Sequence, residues 1–171
     1  MPEPQRKQLE PYLASSSAAA PEFRWTPAAN LHLTVRFIGS VDRVVVDEIA
    51  DRLDQFRLPA FELVLGQLGT FKRGRLVRVV WLQVSAGADQ ARGLAASVEA
   101  ECLRAGLEPE ARRFQPHLTL ARARPRDGAH LPELADPPIL TPWRADQLVL
   151  FSSHLGRAGA VYEPLRTLRL R

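Results

Sequence analysis

The chain has 171 residues, 46% of them hydrophobic, and a formal net charge of +4 at pH 7. That length suits one compact domain with a sizeable core, and no uncharged apolar run is long enough for a transmembrane helix. The N-terminus lacks the apolar stretch of a signal peptide, and Cys102 is the only cysteine, which excludes an intramolecular disulfide and predicts a reducing, cytoplasmic setting.

In chain order, residues 3–20 have helical character, with Pro11 expected to kink or restart the helix. Strand-like His32-Leu33-Thr34-Val35 follows. Residues 42–56 form an amphipathic helix on the stripe Val45, Ile49, Leu53 and Phe56, with Asp42 as its N-cap. Residues 61–65 and 78–84 alternate as strands do. A third helix covers 88–105 on the stripe Ala91, Ala95, Val98 and Cys102, and Gly106 stops it. In that setting Cys102 is a packing residue. A second strand-like motif is His117-Leu118-Thr119-Leu120. The proline-rich stretch 123–143 is an irregular loop, and a final hairpin pairs 145–153 with 161–171 around Gly156 and Gly159. Trp25, Trp81 and Trp143 are expected to pack inside the fold. His130 falls in the exposed loop, and His154 at the rim of the hairpin.

Two of the four histidines therefore sit in one repeated pattern, His-Leu-Thr-aliphatic. Alternate side chains of a strand share a face, so His32 with Thr34 and His117 with Thr119 should face a cleft while Leu33, Val35, Leu118 and Leu120 face the core. The motifs are 85 residues apart, and the same offset carries Leu63-Val64-Leu65 onto the identical tripeptide Leu148-Val149-Leu150. This internal repeat predicts a single domain, 1–171, with related halves 1–84 and 85–171. The expected fold is α+β and bilobal: a pseudo-two-fold arrangement of two mainly antiparallel sheets flanked by helices. One His-x-Thr strand from each half would meet in a central cleft. Applied to the strand at 78–84, the offset points to a counterpart just before Met1, so a missing first strand and an open sheet edge are expected.

Two imidazoles with pKa near 6.5 can act as an acid and a base at neutral pH. Two threonine hydroxyls can donate to the non-bridging oxygens of a phosphate, where charge builds in the transition state. Neither motif supplies a third ligand at metal spacing, so neither a metal nor another cofactor is expected. All but two of the 23 basic residues are arginine, which suits an anionic partner, although base composition of the genome accounts equally well for the arginines.

The paired motifs, with the runs 25–39, 78–82 and 114–122 and the closing hairpin at 152–165, resemble the two-histidine (2H) phosphoesterases. The similarity is to the branch of RNA 2′,3′-cyclic phosphodiesterases and 2′-5′ RNA ligases. The resemblance implies a metal-independent phosphodiesterase in which His32 protonates the leaving oxygen and His117 acts as base. It also implies an arginine on the phosphate five residues after the second histidine, which is Arg122. Strict strand alternation instead puts Arg36 and Ala121 on the cleft face, a conflict that a strand ending or bulging after Thr119 would remove. Phe37 can stack on a base or pack in the core. RNA ends or cyclic-phosphate nucleotides are the expected partners of a monomer with no membrane association. Three activities fit: hydrolysis of 2′,3′-cyclic ends to 2′-phosphomonoesters, ligation of such ends to 5′-hydroxyl RNA, or silent binding of RNA ends. Intact histidines disfavour silent binding, and abundant water favours hydrolysis over ligation.

Overall fold

The computed structural model describes residues 1–171 except Phe56, Arg157 and Ala158, and omits the side chains of 155, 156 and 159. Its elements are α1 (Glu3–Ala19), β1 (Phe23–Trp25), a one-turn 3-10 helix (Ala28–Asn30), α2 (Arg43–Gln55), β2 (Phe61–Arg73), β3 (Leu76–Ala86), α3 (Ala88–Arg104), β4 (His117–Ala123), β5 (Trp143–Ala145), β6 (Gln147–Gly156) and β7 (Gly159–Arg169). The architecture is α+β with antiparallel pairing, as expected. A five-stranded sheet has the order β1-β4-β3-β2-β5, and β6 pairs with β7.

The chain divides into two compact units, each built from three segments. The first contains Met1–Thr34, Leu63–Ala88 and Pro116–Trp143, and the second Val35–Glu62, Asp89–Gln115 and Arg144–Arg171. Each unit thus draws on both sequence halves; His32 and Thr34 of the first motif and the whole of the second motif fall within the first unit.

In the first unit α1 buries the stripe Gln5, Leu9, Tyr12, Leu13 and Ser16, which recurs at helical spacing. Pro4 lies in the first turn, where its missing N–H costs nothing. The helix does not restart at Pro11 but continues through it. The proline sits on the exposed face, while Leu9, Tyr12 and Leu13 are anchored in the core on either side of it. Phe23, Val77, Val80, Ala121 and Ala129 form the core under one face of the sheet, with Ala20 at the end of α1.

The expected strand at His32 is absent. β1 lies beside β4 only over Phe23–Trp25 opposite Ala121–Ala123. Thr26 N–H donates to the Leu120 carbonyl at 2.7 Å, and the 3-10 turn then interrupts the strand course. Residues 31–39 carry no assigned strand. Leu33 and Val35 are only half-buried, whereas Leu118 and Leu120 are fully buried as predicted.

In the second unit α2 buries Val46, Ile49, Ala50 and Leu53. The predicted stripe differs at Val45, which is half-buried, and Phe56 lies outside the described residues. α3 buries Ala91, Ala95, Val98 and Cys102, matching its stripe. Gly106 takes φ +84, the left-handed conformation that ends a helix most cheaply with glycine. The β6–β7 hairpin is in place, and Arg166 of β7 pairs with Asp51 of α2 at 2.6 Å. Among the described residues no helix is long and apolar enough to cross a membrane.

Candidate active site

The site is built on β4, which β3 flanks on one side and β1 on the other. Opposite β3, the register runs His117 to Gln83, Leu118 to Leu82 and Thr119 to Trp81. It then slips by one residue, so that Ala121 faces Val80 and Arg122 faces Val79. This slip is a β-bulge at Leu120. Its signature is burial at two successive positions, since Leu120 and Ala121 are both 0% exposed. Trp81 and Val79 point to the same side of β3, so their partners Thr119 and Arg122 also share a side. The bulge therefore resolves the conflict left by strict alternation. His117, Thr119 and Arg122 stand on one face, and Ala121 belongs to the core.

Arg36 is engaged elsewhere. It lies in the second unit, where its Nε contacts Glu99 at 2.6 Å and its Nη1 contacts Glu110 at 2.8 Å. Its Nη2 donates to the Glu108 carbonyl at 2.6 Å. These contacts tie α3 to the segment that follows it, and the Arg36 side chain is 10% exposed. Phe37 is 65% exposed and lines an open groove with Ile38, Val41, Val45 and Leu107. Core packing therefore does not account for Phe37.

His32 is fixed by a local hydrogen bond rather than by a ladder. Its Nδ1 lies 2.7 Å from the Asn30 carbonyl, which can only accept, so Nδ1 carries a proton. Burial lowers the His32 pKa from its ordinary value. The Asn30 carbonyl opposes that shift, and the charges of the Met1 amine and Arg122 add to it. The positive charge of Arg122 therefore bears on His32, though less than burial does. Thr34 and Thr119 are both half-buried.

Around His117 the structure brings together residues that sequence reasoning missed. The Phe71 ring meets the imidazole edge-on, with centroids 5.1 Å apart and planes at 87°. Trp81, expected to be core packing, is buried but lies 5.8 Å from the same imidazole at 61°. Phe71 and Trp81 also touch each other, with centroids 5.1 Å apart. Opposite Trp81 stands Gly69, where a Cβ would fall 2.3 Å from the indole. No pattern within β2 or β3 announces this cluster, because it depends on which residues pair across the strands. His130 is exposed, as predicted, and His154, expected at the rim of the hairpin, is exposed as well. Among the described residues no three of His, Cys, Asp and Glu form a group able to hold a metal ion.

Comparison with known proteins agrees with this architecture. A protein of Thermotoga maritima named RNA 2′,3′-cyclic phosphodiesterase is 33% identical over 146 residues, 82% of this chain and 76% of its own. One of the same name from Aeropyrum pernix is 43% identical over 93 residues, and that match spans about half of each protein, 54% and 53%. The crystal structure of Escherichia coli LigT complexed with 3′-AMP superposes with a TM-score of 0.85 at 26% identity, covering 99% of this chain and 93% of LigT. The sequence profile of the 2′-5′ RNA ligase superfamily matches residues 3–157. On this match, and with a paired His-x-Thr motif carried on the corresponding fold, the chain belongs to the 2′-5′ RNA ligase superfamily of two-histidine phosphoesterases.

Proposed function

We propose that this protein opens RNA 2′,3′-cyclic phosphate ends to 2′-phosphomonoesters by acid–base catalysis between His32 and His117, without a metal ion, in the cytoplasm. The observation that carries this reading is the bulge in β4. It turns Arg122 to the face of His117 and Thr119, while the Arg122 charge reaches His32. A cation, a hydroxyl and two imidazoles in one unit match the needs of a phosphodiester. The relatives named RNA 2′,3′-cyclic phosphodiesterase support the same substrate class.

In this mechanism a water oxygen attacks phosphorus, and His117 takes the proton that water loses. The bond from phosphorus to the 3′ oxygen breaks, and His32 Nε2 supplies the proton that this oxygen needs. The product keeps its phosphate on the 2′ oxygen and gains a free 3′ hydroxyl. Each proton transfer contributes about 10²–10⁴-fold in rate. Thr34, Thr119 and Arg122 hold the non-bridging oxygens as their charge grows. The exposed Phe37 ring can stack on a base.

Ligation is a second reading, favoured by the name of the superfamily. A 5′ hydroxyl then replaces water as nucleophile in the same site, and mass action disfavours it. The deciding experiment supplies RNA ending in a 2′,3′-cyclic phosphate, with EDTA, in the presence and absence of a 5′-hydroxyl RNA. Release of a 2′-phosphate end under both conditions is expected. A 3′-phosphate product, dependence on added metal, or a joined product as the main species would overturn the reading.

A further inference from the structure

Arg24 and Arg122 are direct cross-strand partners in the β1–β4 pair. Directly paired residues of antiparallel strands project to the same side, and like charges there are destabilising. Phe23 and Trp25, the neighbours of Arg24 on β1, point the other way: Phe23 is buried in the core, and Trp25 packs against it. Arg24 therefore shares the face of His117, Thr119 and Arg122, one strand further out on the edge of the sheet. Both arginines are exposed, and among the described residues neither forms an ion pair. Among the described residues eight other arginines do so, Arg36 and Arg166 among them.

We infer that Arg24 binds the phosphodiester immediately upstream of the cyclic phosphate, so that the site selects RNA chain ends over cyclic mononucleotides. This rests on the function proposed above and names its substrate class more narrowly. Two adjacent guanidiniums without carboxylate partners suit two successive phosphates of one strand. Arg122 takes the reacting phosphate, and Arg24 takes the next one toward the 5′ end. The polyanion relieves the repulsion between them. A cyclic mononucleotide lacks the second phosphate and cannot use Arg24. The reacting bond is unchanged by this contact, so Arg24 adds binding that is equal in ground and transition states and lowers KM rather than raising kcat.

The test compares a trinucleotide ending in a 2′,3′-cyclic phosphate with the corresponding cyclic mononucleotide, using wild type, Arg24→Ala and Arg24→Lys. Arg24→Ala should raise KM for the trinucleotide by about tenfold, the size expected for a lost charged contact. The preference for trinucleotide over mononucleotide should fall by the same factor. Arg24→Lys should keep most of that preference. A separate equilibrium measurement uses fluorescence anisotropy on a short RNA with a 2′-phosphate end, titrated with salt. The log–log salt slope should drop by about 0.7 in Arg24→Ala, as for one lost single-strand phosphate contact. Equal losses on both substrates, or no loss on either, would overturn the inference, as would an unchanged salt slope. An inactive wild type that still binds this RNA through Arg24 would refute the proposed reaction and leave the phosphate contact standing.

Discussion

A Cβ placed on Gly69 would lie 2.3 Å from the indole of Trp81, its cross-strand partner. No real contact is that short, and the opposing atoms belong to a ring packed against both Phe71 and His117 rather than to a flexible chain end. The bare backbone at Gly69 therefore makes room for the indole, which in turn holds the His117 imidazole from one side. Gly69→Ala should push Trp81 away and loosen His117. The cost is about 1–3 kcal/mol for an overpacked site. Thermal unfolding should shift down by several degrees, at about 2–4 °C per kcal/mol. On the cyclic-phosphate substrate kcat should fall by about tenfold or more, because a misplaced catalytic group is expensive. A folded Gly69→Ala protein with the wild-type kcat would show that Trp81 does not position His117.

Replacing either histidine should remove turnover. His32→Ala and His117→Ala are each expected to lower kcat by at least about 10²-fold, the usual worth of one proton transfer. The double variant should be little worse than either single one, because the two act as a unit. Circular dichroism should report an unchanged fold in all three. Substantial activity in either single variant would remove that histidine from the mechanism.

The lowered pKa of His32 gives a signed prediction. In the free protein its titration by NMR should fall below the ordinary value of about 6.5. Burial is the leading cause, and Arg122 adds to it, so Arg122→Ala should move the value upward. Inorganic phosphate should also move it upward, since an anion beside the imidazole favours the charged form. This second shift is what His32 needs in order to serve as acid once substrate is bound. A depressed folded-state pKa contributes stability that is present above the unfolded value and lost as pH falls through the folded one. Acidification below about pH 6.5 should therefore cost the wild type more stability than His32→Ala. A His32 value above 6.5 in the free protein would reverse the argument.

Arg36 and Arg122 should separate cleanly when each is changed to alanine. Arg36 is nearly buried between Glu99 and Glu110. Its loss leaves carboxylates uncompensated and should destabilise the protein by about 1–3 kcal/mol, with modest effects on kcat in the folded fraction. Arg122 is exposed and makes no ion pair among the described residues, so Arg122→Ala should leave the melting temperature within about 1 °C while lowering kcat/KM by about 10²-fold. Chemical denaturation and steady-state kinetics on the same preparations check both. If instead Arg36→Ala lost turnover at unchanged stability, the phosphate would belong to Arg36.

Much of the chain could be read without coordinates. The three helices announce themselves through apolar residues at helical spacing, as in Ala91, Ala95, Val98 and Cys102, and such a stripe needs only one partner surface of any kind. The long strands 61–73 and 76–86 show alternation only over part of their length, because register shifts between Val64 and Leu68 and between Phe71 and Lys72 break the two-residue period while the pairing continues. The repeated His-Leu-Thr tetrapeptide singled out His32, Thr34, His117 and Thr119 because polar residues spaced for one face are not demanded by packing. β1 and β5, three residues each, are too short for any periodicity to register.

Only tertiary structure decided the rest, because a strand is defined by its partners. The alternation of His32-Leu33-Thr34-Val35 is strand-like, yet no ladder forms, since the 3-10 turn at Ala28–Asn30 ends the run beside β4 and the Asn30 carbonyl holds the imidazole instead. Leu120-Ala121 is an ordinary apolar pair in sequence. Pairing with Trp81 and Val80 makes it a bulge, and that one-residue slip turns Arg122 to the face of His117 and Thr119. The same cross-strand geometry sets Gly69 under Trp81 and Arg24 beside Arg122. Residue types along one strand encode which side each faces, but the register between strands is fixed by hydrogen bonds to residues distant in sequence, and no local pattern records it.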